Sequence, residues 1–149
     1  MHKLLFTMEL QPSTSLLWGN LKLVHPNQKH IDYIATSGCT QWQQPGDEWA
    51  RARGPIPHGF NYSIPTTPYY LPTKGIEGMF FHITPDPVES LLGDIRSELG
   101  IHFDANVPGS AGCIVLRNKS GWEGFCARMD AIAKSGIRSI PLSVNYSGN

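Results

Sequence analysis

Between Gly100 and Leu116 the chain reads Gly-Ile-His-Phe-Asp-Ala-Asn-Val-Pro-Gly-Ser-Ala-Gly-Cys-Ile-Val-Leu, and this stretch holds the residue types needed for acyl transfer. Cys113 is the candidate nucleophile and His102 the candidate base. A free cysteine titrates near ~8.5 and is mostly protonated at neutral pH, so a neighbouring imidazole is the usual route to thiolate. Ser110, Ala111 and Gly112 precede the cysteine and are small enough for a substrate carbonyl to approach the backbone around the thiol. The Ala111 methyl cannot donate a hydrogen bond, so the oxyanion is expected to rest on the N–H groups of Gly112 and Cys113. Ser110 is expected to shape the turn. Asp104, two residues from His102, is a candidate orienter of the imidazole.

The surrounding pattern says how these groups would be held. From Ile95 to Asp104 apolar and polar residues alternate, with Ile95, Leu99, Ile101 and Phe103 opposed to Arg96, Glu98, His102 and Asp104. This predicts a half-buried strand that turns His102 away from the core. Val107-Pro108-Gly109 breaks that strand, and Cys113 to Leu116 has the β-branched content of a buried one. The two reactive residues are then expected to meet across a short connection.

A histidine, a short loop and then Ser-x-Gly-Cys-Ile resembles the active-site signature of the L,D-transpeptidase catalytic domain. Upstream, Gly54-Pro55-Ile56-Pro57-His58-Gly59-Phe60-Asn61-Tyr62 is similar to a second family segment, of the form Gly-Pro-Ile-Pro-x-Gly-x-Tyr, with one extra residue before the tyrosine. The resemblance covers roughly residues 4 to 116. It implies a β-sandwich catalytic domain acting on peptidoglycan stem peptides through a thioester on Cys113, with no cofactor. Most members carry a second histidine where this chain has Ala111, an arginine where it has Val115, and a longer gap after the first histidine. The version here looks more like the divergent branch that includes cell-wall-cleaving effectors of bacterial secretion systems. For such an effector the resemblance implies action in the periplasm or wall after delivery by a secretion machine or phage, and an inhibitor or immunity protein as partner.

Twelve basic residues balance twelve acidic ones without a run of either sign, so nothing marks nucleic acid or an anionic membrane surface as a partner. No apolar run reaches the ~18 residues of a membrane span, and residues 1–149 fit one domain. The amino terminus meets Glu9 and Gln11 before a signal-peptide core can form and is expected to be a first strand. Three cysteines, Cys39, Cys113 and Cys126, argue against a disulfide framework.

Fifteen glycines and twelve prolines favour a turn-rich β protein. Strands are expected at Lys3–Leu10, Leu16–Trp18, Leu21–His25 and Ile31–Thr36, with Gly19-Asn20 as a tight turn. Residues 39–53 and 65–78 are expected as long loops, and Tyr69 and Tyr70 in the second are lid candidates or a cover for the core edge. Met79–Thr84 is expected as a strand containing His82, whose role stays open, and Asp86-Pro87-Val88-Glu89 as a helix start. A helix over about 120–135 carries an apolar stripe from Trp122 to Ala133, a Ser120/Glu123 capping box and Gly136 at its end. The stripe, Cys126 included, is expected to be core. A final strand spans Ile137–Tyr146.

Two other classes compete with the thiol enzyme. A zinc peptidase would need three ligands, drawn from His102, Asp104, Cys113 and His58 or His82. A β-sandwich wall-binding or particle-structural module without turnover is the non-enzymatic reading, with Ala111 as its sign of decay. A lone strand histidine is most often an ordinary hydrogen-bonded one and a lone cysteine a small buried hydrophobe. It is their joint placement in Ser-Ala-Gly-Cys-Ile, with the Gly-Pro-Ile-Pro segment upstream, that favours catalysis.

Overall fold

A computed structural model describes residues 1–148. The chain is mainly β, with one α-helix among the described residues, and none long and apolar enough to cross a membrane. Strands β1 (Lys3–Glu9), β2 (Gly19–Val24) and β3 (Ile31–Ser37) form an antiparallel meander. After a 3-10 turn at Asp47–Trp49 come β4 (Tyr62–Pro65), β5 (Tyr69–Leu71), β6 (Gly78–His82), β7 (Val88–Glu89), β8 (Ile95–Arg96), β9 (Gly100–Phe103) and β10 (Ile114–Leu116). Helix α1 (Lys119–Lys134) and strand β11 (Ser139–Ser147) complete the described chain.

Nine strands join in the order β4-β11-β1-β2-β3-β10-β9-β6-β5, while β7 and β8 pair separately. β4 stands at one end of that order, yet Ser63 within it exchanges N–H···O bonds of 2.7 and 3.1 Å with Thr84, just past β6 near the other end. The sheet therefore curls until its ends nearly meet. One core cluster runs from Leu4 and Phe6 through Ile101 and Ile114 to Phe125 and Met129 of α1. Phe125 meets Tyr33 and Phe81 edge-on, with ring centroids 5.4 and 5.3 Å away. Of the expected stripe, Phe125, Met129 and Ile132 are buried, while Trp122 and Cys126 are half-buried against the core. Burial pushes the Cys126 thiol up to about 11.

Several local expectations are corrected. Residues 16–18 form no strand, and Gly19-Asn20 lies inside β2, opposite Ala35 and Ile34. Gly19 answers a close approach: a Cβ there would lie 2.3 Å from the Thr7 carbonyl oxygen. The expected strand from Ile95 to Asp104 is broken, because Glu98 adopts a left-handed φ of 59°. The Asp86 carboxylate holds that kink by accepting the N–H groups of Glu98 and Leu99, each at 3.0 Å. Asp86 therefore caps no helix, and Val88-Glu89 is the first arm of a hairpin. The expected loop at 65–78 contains edge strand β5, paired with β6. Helix α1 begins earlier than the capping box would place it, with Asn118 rather than Ser120 at its N-cap and no side-chain cap bond, so Ser120 and Glu123 form no box. Gly136, at φ 101°, does follow the helix end.

Because Phe125 is fully buried where α1 meets the sheet, Phe125→Ala should cost about 3–5 kcal/mol of folding stability, read by chemical denaturation.

Candidate active site

β9 and β10 run parallel, with Ile114 opposite Ile101 and Val115 opposite His102. β6 runs antiparallel to β9, with Phe81 opposite Ile101 and His82 opposite Gly100. Side chains alternate along a strand, so Phe81, Ile101 and Ile114 enter the core while Phe80, His82, His102 and Val115 share the other face. Cys113, one residue before β10, joins that second face in a small separate cluster with Phe80 and Val115. The structure thus brings the candidate nucleophile and base to one face of neighbouring strands.

The loop carrying Cys113 is clasped by the Ser37-Gly38 turn and, through it, by the Gly-Pro-Ile-Pro segment. Ser110 donates its N–H to the Gly38 carbonyl at 2.9 Å, and the Gly38 N–H returns to Ser110 Oγ at 3.1 Å. Ser37 Oγ donates to the Gly112 carbonyl at 2.9 Å and accepts the Ile56 N–H at 2.8 Å, tying the Ser37-Gly38 turn, the Gly-Pro-Ile-Pro segment and the Cys113 loop at one hydroxyl. Ser110 Oγ also donates to the Cys113 carbonyl at 2.5 Å and accepts the Gly112 N–H at 3.3 Å. Ser110 is engaged in shaping this turn. The Cys113 N–H has no acceptor among the described residues.

Beneath the loop lies a residue that the alternating pattern misassigned to a polar face. Arg96 is buried, and its guanidinium donates to the carbonyls of Glu48, Pro55, Gly54 and Ala111. A Cβ on Gly112 would stand 2.3 Å from Arg96 Nη2, so only glycine lets the cation pass this close to the Cys113 loop. No sequence signal marks it, since a lone arginine finds these partners 15 to 48 residues away.

His102 donates Nδ1–H to the Phe103 carbonyl at 2.9 Å, which leaves Nε2 as the proton acceptor. Burial lowers its basicity below the usual histidine range, partly opposed by that bond. The Asp104 carboxylate serves a different purpose, accepting the Gly109 N–H at 3.1 Å; the ring is oriented by backbone instead. In this resting arrangement the Cys113 thiol donates to the Glu98 carbonyl at 3.3 Å, and no hydrogen bond joins it to His102 among the described residues. Burial pushes the thiol up to about 12; the Gly100 N–H and Arg96 pull it down, while Asp86 and Glu98 push it up. Both the thiol and the imidazole are therefore neutral at pH 7.

Phe80 covers both groups. A Cβ on Gly100 would fall 2.0 Å from its ring, so the ring lies directly on the Gly100 backbone beside the thiol. His102 and His82 both stack with it, with centroids 6.1 and 6.2 Å away. Next to Phe80 a cleft of about 220 Å³ opens between Tyr69, Leu71, His82, Asp86 and Glu98. Of the two lid candidates, Tyr69 forms its wall, and Tyr70 is exposed. Among the described residues no three His, Cys, Asp or Glu side chains converge as a metal-binding set.

No protein-family model matches the chain, and no curated protein matches it in sequence.

Two measurements test this geometry. Since its acidity is suppressed by burial, Cys113 should alkylate slowly at neutral pH in the unliganded protein, at a rate that rises about tenfold per pH unit from pH ~7 to ~10. A plateau near neutrality would instead mean a preformed thiolate. Arg96→Met should lower folding stability by at least about 2 kcal/mol, because buried carbonyls lose their donors; equilibrium denaturation reads this directly.

Proposed function

We propose that this chain is a cysteine-dependent acyl-transfer enzyme of the L,D-transpeptidase or L,D-carboxypeptidase type, acting on peptidoglycan stem peptides. The curled sheet would then be a variant of that family's catalytic β-sandwich. One observation carries the reading: Cys113 and His102 share a sheet face, the imidazole is held with Nε2 free, and the loop between them is tied through Ser37 Oγ to the Gly-Pro-Ile-Pro segment that resembles the family. In the reaction, substrate entry frees the thiol from the Glu98 carbonyl and lets His102 Nε2 take its proton. The sulfur attacks the carbonyl carbon of the third-position diamino acid, the C–N bond to D-alanine breaks, and His102 returns the proton to the leaving amine. The oxyanion would be received by the N–H groups of Cys113 and Gly112, the second held only loosely by Ser110. The Arg96 charge nearby favours each anionic species in turn. Water, a D-amino acid or the amine of a second stem then resolves the thioester.

A non-catalytic binding module is favoured by one specific observation, the thiol bonded to Glu98 with its acidity suppressed. The two readings separate on incubation with purified muropeptides and mass analysis of the products. Cys113→Ala should abolish trimming of tetrapeptide stems without loss of fold, and His102→Ala should slow it roughly 10²–10⁴-fold. Wild-type protein that binds these stems and leaves them unaltered would establish the binding module.

A further inference from the structure

The two imidazoles on the outer face differ in what they can reach. His102 is 6% exposed, stacks on Phe80 and is not among the residues that line the cleft. The His82 side chain is 39% exposed and opens into the cleft. Its Nε2–H donates to Asp86 Oδ2 at 2.8 Å, and Asp86 is itself fixed by the N–H groups of Glu98 and Leu99. An imidazole held at Nε2 by a fixed carboxylate presents Nδ1 as a proton acceptor. Glu98 joins this cleft to the nucleophile, for its carbonyl touches the Cys113 sulfur at 3.3 Å and the residue is among those that line the cleft. The left-handed backbone at Glu98 makes that double contact, and such conformations are costly outside glycine. The Glu98 carboxylate has no hydrogen bond or ion pair among the described residues, and no lysine or arginine lines the cleft.

We propose that this cleft is the acceptor subsite of the acyl-transfer reaction, that it takes a primary amine, and that His82, oriented by Asp86, is a second catalytic base serving that amine. The inference rests on the acyl-enzyme reading above and names its acceptor. The amine arrives as an ammonium ion, drawn by the Glu98 carboxylate onto a floor made by Phe80, Leu71 and Tyr69. His82 Nδ1 takes one proton and passes it to solvent. The neutral nitrogen attacks the thioester carbon, a C–N bond forms and the C–S bond breaks. The electron pair leaves on sulfur, and the second nitrogen proton reaches it through His102. Acyl–S–Cys113 and an ammonium ion thus become an amide, the free thiol and one proton. Water would need neither the apolar floor nor the unpaired carboxylate.

The test uses the full chain, a tetrapeptide stem as acyl donor and glycinamide as the amine. Acyl-enzyme formation is followed by mass spectrometry, and product partition between amide and free acid by chromatography. In His82→Gln the amide nitrogen still donates to Asp86, but the side chain offers no titratable nitrogen. That variant should form the acyl-enzyme yet yield amide about 10²-fold more slowly. Glu98→Gln should raise the glycinamide concentration needed for half-maximal partition at least several-fold. Wild-type partition in both variants, with the acyl-enzyme formed normally, would overturn the acceptor assignment alone. No acyl-enzyme in the wild type would overturn the acyl-transfer reading and this inference with it.

Discussion

A single buried cation holds the functional end of this molecule together. Removing a guanidinium from water costs several kcal/mol in a protein interior, and here no carboxylate answers it among the described residues. Backbone carbonyls from Glu48, Gly54, Pro55 and Ala111 do so instead. Each such charge-assisted bond returns about 1.5–3 kcal/mol, so the set offsets the desolvation only because it is complete. Completeness demands that the 48–55 segment and the Cys113 loop arrive together at Arg96. The glycines follow from the same crowding: a Cβ at Gly54 would lie 1.6 Å from the Asp47 carbonyl oxygen, and one at Gly112 would strike the guanidinium.

Above that anchor, the outer face is governed by Phe80. Its ring rests on Gly100, packs with Cys113 and stacks with two histidines of different exposure. The same ring that shields the thiol from water also keeps it protonated, because a desolvated thiolate is unfavourable. In the proposed reaction, substrate would first have to displace the bond from the thiol to Glu98. Asp86 connects this face to the backbone kink, since one carboxylate binds His82 and two N–H groups at the turn into β9.

Much of the β framework was legible from local pattern. The strands at Lys3–Glu9, Ile31–Ser37 and Ser139–Ser147, and the helix with its buried Phe125, Met129 and Ile132, follow alternation or helical period. Legibility failed where a distant group decided a local conformation. Asp86 reads as a helix cap, yet its carboxylate is taken by Glu98 and Leu99, and this divides a stretch whose alternation reads as one strand. Gly19 reads as a turn, yet its lack of a side chain admits the neighbouring strand.

The sequence by itself determined which groups are available for chemistry: a cysteine after a run of small residues, a histidine eleven positions earlier, and two turn segments rich in Gly and Pro. Residue type and short-range spacing carry that information because nucleophilicity and turn geometry are local properties. Tertiary structure alone decided the protonation of the thiol, the burial of Arg96, the backbone orientation of His102 and the meeting of His82, Asp86 and Glu98 in one cleft. Desolvation and charge pairing depend on what the fold packs against a group, and those neighbours come from far along the chain.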